Sequence, residues 1–149
     1  MEEILNGLKA YILETADYYT EQADETTPMT APAEKDIIIG QVDLTKQKAA
    51  VLCSLIPDDQ TPENAYIEGT SAINNITVSF ICRGAKIDVL IRQMMRYAEA
   101  FKNSCFNDNS CGGICDDITI ESVKYYLDAG IIDNQATAVE ITISVEKSI

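Results

Sequence analysis

Cys105, Cys111 and Cys115 fall within the stretch CFNDNSCGGIC, residues 105–115, and they are three of the five cysteines in the chain. Thiols this close suit three kinds of chemistry: metal ligation, disulfide formation and redox exchange. A structural zinc site takes four ligands, commonly as two close Cys pairs. The spacing here is C-x5-C-x3-C, so Cys105, Cys111 and Cys115 are the metal candidates the chain offers, one ligand short unless Asp116 or Asp117 joins them. An odd number of cysteines without an export signal argues against a disulfide framework. The plainer reading is a connector, because NDNS and GG are turn-forming residues. Cys53 and Cys82 lie in strand-like runs and read as small buried apolar residues. No metal and no cofactor is expected.

Histidine is absent from the sequence. Ser-His-Asp and Cys-His catalysis are thereby removed, with the HExxH zinc sites and the usual neutral-pH base. Gly112-Gly113 is the one glycine pair, and neither phosphate-loop pattern occurs. Asp58-Asp59 and Asp116-Asp117 are paired acids in polar stretches, where carboxylates are ordinarily solvated. The expectation is a protein that is not an enzyme.

Eleven Lys and Arg stand against 24 Asp and Glu, a net charge of −13. Affinity for nucleic acid comes largely from cations that displace counterions from phosphates, so specific nucleic-acid binding is not expected. Arg83, Lys86, Arg92, Arg96 and Lys102 break this acidic background within twenty positions. Arg92 and Arg96, four apart, share one helix face. Either Asp88 and Glu99 pair with them along that helix, or the face is kept for an acidic partner, a second copy of the chain included. Arg83, Lys86, Arg92 and Arg96 are the interface candidates. Met94 and Met95 beside them read as core.

The elements that must position these residues are legible in outline. Ile4, Leu5, Leu8, Ile12, Ala16 and Tyr19 predict a helix over 2–19, and the acidic first turn suits its dipole. Residues 24–35, with two prolines, read as a mobile loop or an extended arm. Residues 35–44 and 49–56 read as strands joined in a hairpin through TKQK. A polar connection over 57–72, with a short strand around Tyr66, leads to an alternating strand over 74–83. Ile87, Leu90, Ile91, Met94, Ala98 and Phe101 predict a helix over 85–104. Two strands follow at 118–127 and 137–146, the last with Val139, Ile141, Ile143 and Val145 turned inward. The order α-β-β-(β)-β-α-β-β gives one α+β domain over residues 1–149, a mostly antiparallel sheet with two helices on one face. No apolar run reaches the ~20 residues of a membrane span. The acidic, interrupted N-terminus leads to a cytoplasmic expectation.

NITVSFICRG, followed by KIDVLIRQMMRYAEAFKNS and a closing TAVEITISVEK, resembles the tail-terminator and minor capsid (head–tail joining) proteins of long-tailed phages and prophages. The likeness rests on element order and on an alternating strand followed by an "RY-A" helix. It implies a non-enzymatic virion protein, made in the cytoplasm of a bacterial host. Such proteins form a homo-oligomeric, commonly hexameric, ring that stops the tail tube and joins it to the head connector. The implied partners are the tail-tube protein and a head-completion protein. An acidic lumen would let DNA pass without adhering, and residues 24–35 and 57–72 would be contact loops. Another head–tail joining component and a small monomeric interaction domain are the alternatives, followed by a cysteine-based metal protein.

Overall fold

Strict alternation of apolar and polar residues makes the last strand-like run the spine of a sheet. In a computed structural model describing residues 1–44, 46–63 (backbone alone over 60–63), 71–128 and 135–148, that run is β5 (Ala136–Ser148). Val139, Ile141, Ile143 and Val145 are fully buried along one face of it. The other strands are β1 (Ile37–Ile39), β2 (Val51–Glu63), β3 (Ser71–Arg83) and β4 (Asp117–Tyr126). They form one five-stranded sheet in the order β1-β2-β3-β5-β4. Three of the four pairings are antiparallel, and β1 lies parallel to β2. The class is α+β, as expected.

Three helices cover one face: α1 (Glu2–Glu14), α2 (Ala16–Thr20) and α3 (Ile87–Asn107). The predicted helix over 2–19 is therefore two. Thr15 separates them at φ −98°, ψ 28°, and its hydroxyl donates to the carbonyl of Tyr11 at 2.8 Å. A threonine that bonds back to the preceding turn bends or interrupts a helix. Between helices and sheet lies an aromatic cluster. Phe80 of β3 stacks on Tyr97 of α3 with centroids 5.5 Å apart, and Tyr19 and Phe101 lean against it. Burying each such ring stabilises the fold by roughly 1.5–3 kcal/mol. The buried hydroxyl of Thr137 in β5 fastens α3 to the sheet, donating to the carbonyl of Leu90 at 2.7 Å.

Several expectations are corrected. Residues 35–44 and 49–56 do not form a hairpin, because β1 and β2 run parallel. Gly40, at φ +117°, turns the chain out of β1, and Val42 and Leu44 beyond it line a groove together with Ile81 of β3 and Glu140 of β5. Only glycine takes such a φ without strain. The polar residues 57–63 are part of β2, which continues past a bulge at Pro57/Asp59. The short strand expected around Tyr66 lies outside the described residues. Ile87, placed on the buried stripe by spacing, is exposed in the first turn of α3, and Met95 is exposed whereas Met94 is buried.

Candidate functional site

The two arginines of α3, Arg92 and Arg96, are turned onto the chain's own N-terminal arm. The Arg92 guanidinium donates to the Thr27 hydroxyl at 2.8 Å and to the Thr26 carbonyl, and lies 3.6 Å from Asp88. Arg96 donates to the carbonyl of Gln22 at 2.9 Å and pairs with Asp24 at 3.0 Å. Gln93 donates to the carbonyl of Pro28, and the Tyr97 hydroxyl donates to that of Thr30 at 2.7 Å. Residues 22–30 are thus an extended strap along α3, and its own Thr27 and Met29 are buried. Asp24 is the centre of the strap: its carboxylate takes bonds from Arg96, the Thr26 hydroxyl and two backbone amides. The Arg96 contact, followed by these bonds, holds its pKa well below the ordinary carboxylate value. Of the two pairings expected along α3, Arg92 meets Asp88, whereas Glu99 meets Lys102.

Arg83 does a similar task on the opposite face of the sheet. Its guanidinium donates to the carbonyls of Leu44 and Ala49, each at 2.8 Å, and to that of Gln47. A planar fork of five donors suits this fan of acceptors. These bonds hold residues 44 and 47–49 beside a groove of about 320 Å³ whose apolar lining includes Val42, Leu44, Ile56, Ile81 and Tyr126. Lys86 is exposed at the N-cap of α3. The sequence showed that these cations cluster. It gave no sign that the arginines bind main chain 34–74 residues away.

The sheet face away from the helices is acidic. Asp58, Asp59, Asp117, Glu121, Glu140 and Glu146 lie on it, with Lys124 opposite Glu140. A polar row crosses four strands there: Asn75 donates to Asp59, and the Ser144 hydroxyl stands 2.8 Å from Asn75 and 3.0 Å from Glu121. The hydroxyl of Tyr126 donates to Glu140, and that carboxylate raises the tyrosine pKa. β4 is an edge strand that ends in exposed Tyr125 and Tyr126, and Leu127 just past it is 56% accessible. Long uncovered edges with apolar side chains are templates for pairing with another chain.

The cysteine stretch is a tight turn packed inward. Asp108 accepts bonds from the hydroxyl and amide of Ser110 and from the amide of Gly112, and the Ser110 hydroxyl leads in holding its pKa down. Cys111, Gly112 and Gly113 all take positive φ. This winding buries all three thiols. The Cys115 thiol donates to the carbonyls of Ser110 at 3.4 Å and Asn109 at 3.6 Å. Contact with Cys105 and then burial raise the Cys111 pKa, while contact with Cys111 and then burial raise that of Cys115. A raised pKa keeps the Cys111 and Cys115 thiols protonated, the opposite of a nucleophile or metal ligand. Among the described residues, no three Cys, Asp or Glu side chains converge where a metal ion would fit. Cys53 and Cys82 are buried in β2 and β3, and burial pushes the Cys82 thiol up to about 12. No helix of the structure is long and apolar enough to cross a membrane.

No protein-family model and no curated protein matches the sequence. Among solved structures, the chain is similar to one from the virion of a native gene transfer agent (GTA) particle. The two are 11% identical, the alignment covers 95% of this chain and 94% of that one, and the TM-score is 0.49.

Proposed function

We propose that the protein is a non-enzymatic virion component of phage or prophage origin, a tail-terminator-like subunit that closes into a ring between tail tube and head connector. The observation that carries this reading is the β4 edge, unpaired among the described residues, with Tyr125, Tyr126 and Leu127 exposed at and just past its end. A neighbouring copy would cover that edge, and repeated head-to-tail contact closes a ring when the rotation permits. The helix-free acidic face would then line the channel, where its carboxylates repel phosphate. The sequence resemblance supports the same reading, since it depends on β3, α3 and β5 in that order.

In the ring, exposed Lys86, without an ion pair among the described residues, would meet a neighbour's carboxylate directly. Arg83, Arg92 and Arg96 would contribute through the segments they hold, the 41–50 connection and the 22–30 strap. The tail-tube protein and a head-completion protein would bind the two rims.

Light scattering on a size-exclusion column, with negative-stain images, tests the proposal. The expected result is a discrete species of about six copies with a central hole, reduced to monomer by Leu127→Asp. A monomer at every concentration, both alone and mixed with the cognate tail-tube protein, would overturn it. So would a multimer that Leu127→Asp leaves intact while the variant remains folded.

A further inference from the structure

The groove beside the 41–50 connection has a floor that the ring reading does not use. Strand register lays two rows of side chains across it on the helix-free face of the sheet. Ser54, Ser79 and Glu140 are cross-strand neighbours on β2, β3 and β5. Beside them Ile81, Ala138 and Tyr126 are neighbours on β3, β5 and β4. Val42 and Leu44 supply a wall, held by the bonds of Arg83 to the carbonyls of Leu44, Gln47 and Ala49. A volume of about 320 Å³, mostly apolar with a few polar groups, matches the make-up of ligand sites.

The polar row is not satisfied from within. Ser54 is occupied, since its hydroxyl donates to the carbonyl of Gly40 at 3.1 Å. Ser79 is only 7% accessible, lines the groove, and has no hydrogen-bond partner for its hydroxyl among the described residues. A side chain buried to this depth ordinarily has one. Glu140 accepts a bond from the Tyr126 hydroxyl at 3.1 Å and forms no ion pair among the described residues. Lys124, opposite it in register, is exposed and does not pair with it. Cross-strand neighbours such as Ser79 and Glu140 have Cβ atoms about 5 Å apart, so one cationic donor above them can bond both.

We propose that this groove is a docking site for a lysine side chain of a partner protein, presented between apolar residues on an extended segment. The ammonium would donate to the Glu140 carboxylate and the Ser79 hydroxyl, and its methylenes would lie along Ile81 and Ala138. The flanking apolar residues would rest against Val42 and Leu44. Charge complementarity selects this class of partner, because a chain of net charge −13 attracts a basic segment and repels an acidic one. A purely apolar occupant would cover Glu140 and Ser79 without giving them a donor, which is costly. The site lies at the Arg83 end of β3, whereas Asn75 and its polar row lie towards the other end. The inference is therefore independent of the assembly reading, and a monomer would bind in the same way.

An amide NMR titration of the intact protein with the peptide acetyl-Leu-Lys-Leu-amide tests it. Saturable shifts are expected at the amides of Ser54, Ser79, Ile81 and Glu140, and in residues 42–44. The same peptide with norleucine in place of lysine should bind about tenfold more weakly. Glu140→Gln should weaken the lysine peptide by a similar factor, and Ser79→Ala by a smaller one. The inference fails if the lysine peptide gives no saturable shift up to about 10 mM, if the norleucine peptide binds equally well, or if the shifts lie elsewhere. Butylammonium binding as tightly as the peptide would make the ligand a free amine. The same shifts on raising the protein concentration alone would make it a second copy of the chain. Either result overturns the proposal. The comparison of peptides on unmutated protein decides the matter even where a variant does not fold.

Discussion

Tyr19 shows how a single buried atom can work against its own side chain. Its ring is fully buried against Phe80 and Tyr97, and its hydroxyl has no hydrogen-bond partner among the described residues. Burial raises the phenol pKa well above its ordinary value, so the group stays neutral. A neutral hydroxyl without a partner still forfeits its bonds to water, at a cost of roughly 1–3 kcal/mol. Tyr19→Phe keeps the ring and removes that cost, so it is expected to stabilise the protein by about 1 kcal/mol in urea denaturation. A loss of stability would mean that the hydroxyl is satisfied by a weak acceptor such as a core thiol. The inward position of Tyr19 was legible from its spacing with Ile12 and Ala16. Whether its oxygen finds a partner depends on β2 and α3, which the local sequence does not reveal.

At the scale of elements, α1 meets the cysteine turn through Gly7. A Cβ there would collide with the side chain of Ile114. In an exposed helix, Gly→Ala gains about 1 kcal/mol from the lower entropy of the unfolded chain. Here the overlap is with a β-branched side chain, and overpacking costs about 1–3 kcal/mol. Gly7→Ala is therefore expected to lower the thermal midpoint, and in an Ile114→Ala background the same change should raise it. Equal effects in both backgrounds would show that the contact carries no coupling. The long helix α3 and the alternating β5 were legible because their periodicity is local and unbroken. The parallel pairing of β1 was not, since two β-rich runs with a short polar spacer suggest a hairpin whatever the chain does later. Arg83, at the end of β3, binds three carbonyls of the intervening connection, a tie that neither run announces.

Over the whole molecule, acid should undo several of these ties together. Asp24, Asp108 and Asp116 all have depressed pKa values, led by contact with Arg96, the Ser110 hydroxyl and the Ser148 hydroxyl respectively. A carboxylate with a lower pKa folded than unfolded stabilises the fold fully above its unfolded value, about 3.9. That contribution fades as pH falls towards the folded value. The urea midpoint is expected to hold between pH 7 and pH 5 and to fall below about pH 4, less steeply in Asp24→Asn. A midpoint unchanged at pH 3 would show that these bonds add nothing. The acidity of the chain was plain from composition, whereas the gathering of carboxylates on one sheet face became visible only through strand register. The strand order carries one further consequence, for synthesis on the ribosome. β5 is translated after the other four strands, yet it lies between β3 and β4, and β4 has no hydrogen-bonding neighbour in the sheet until β5 arrives. A nascent chain can pair β2 with β3 and lay part of α3 on them, but β4 stays unpaired until β5 emerges.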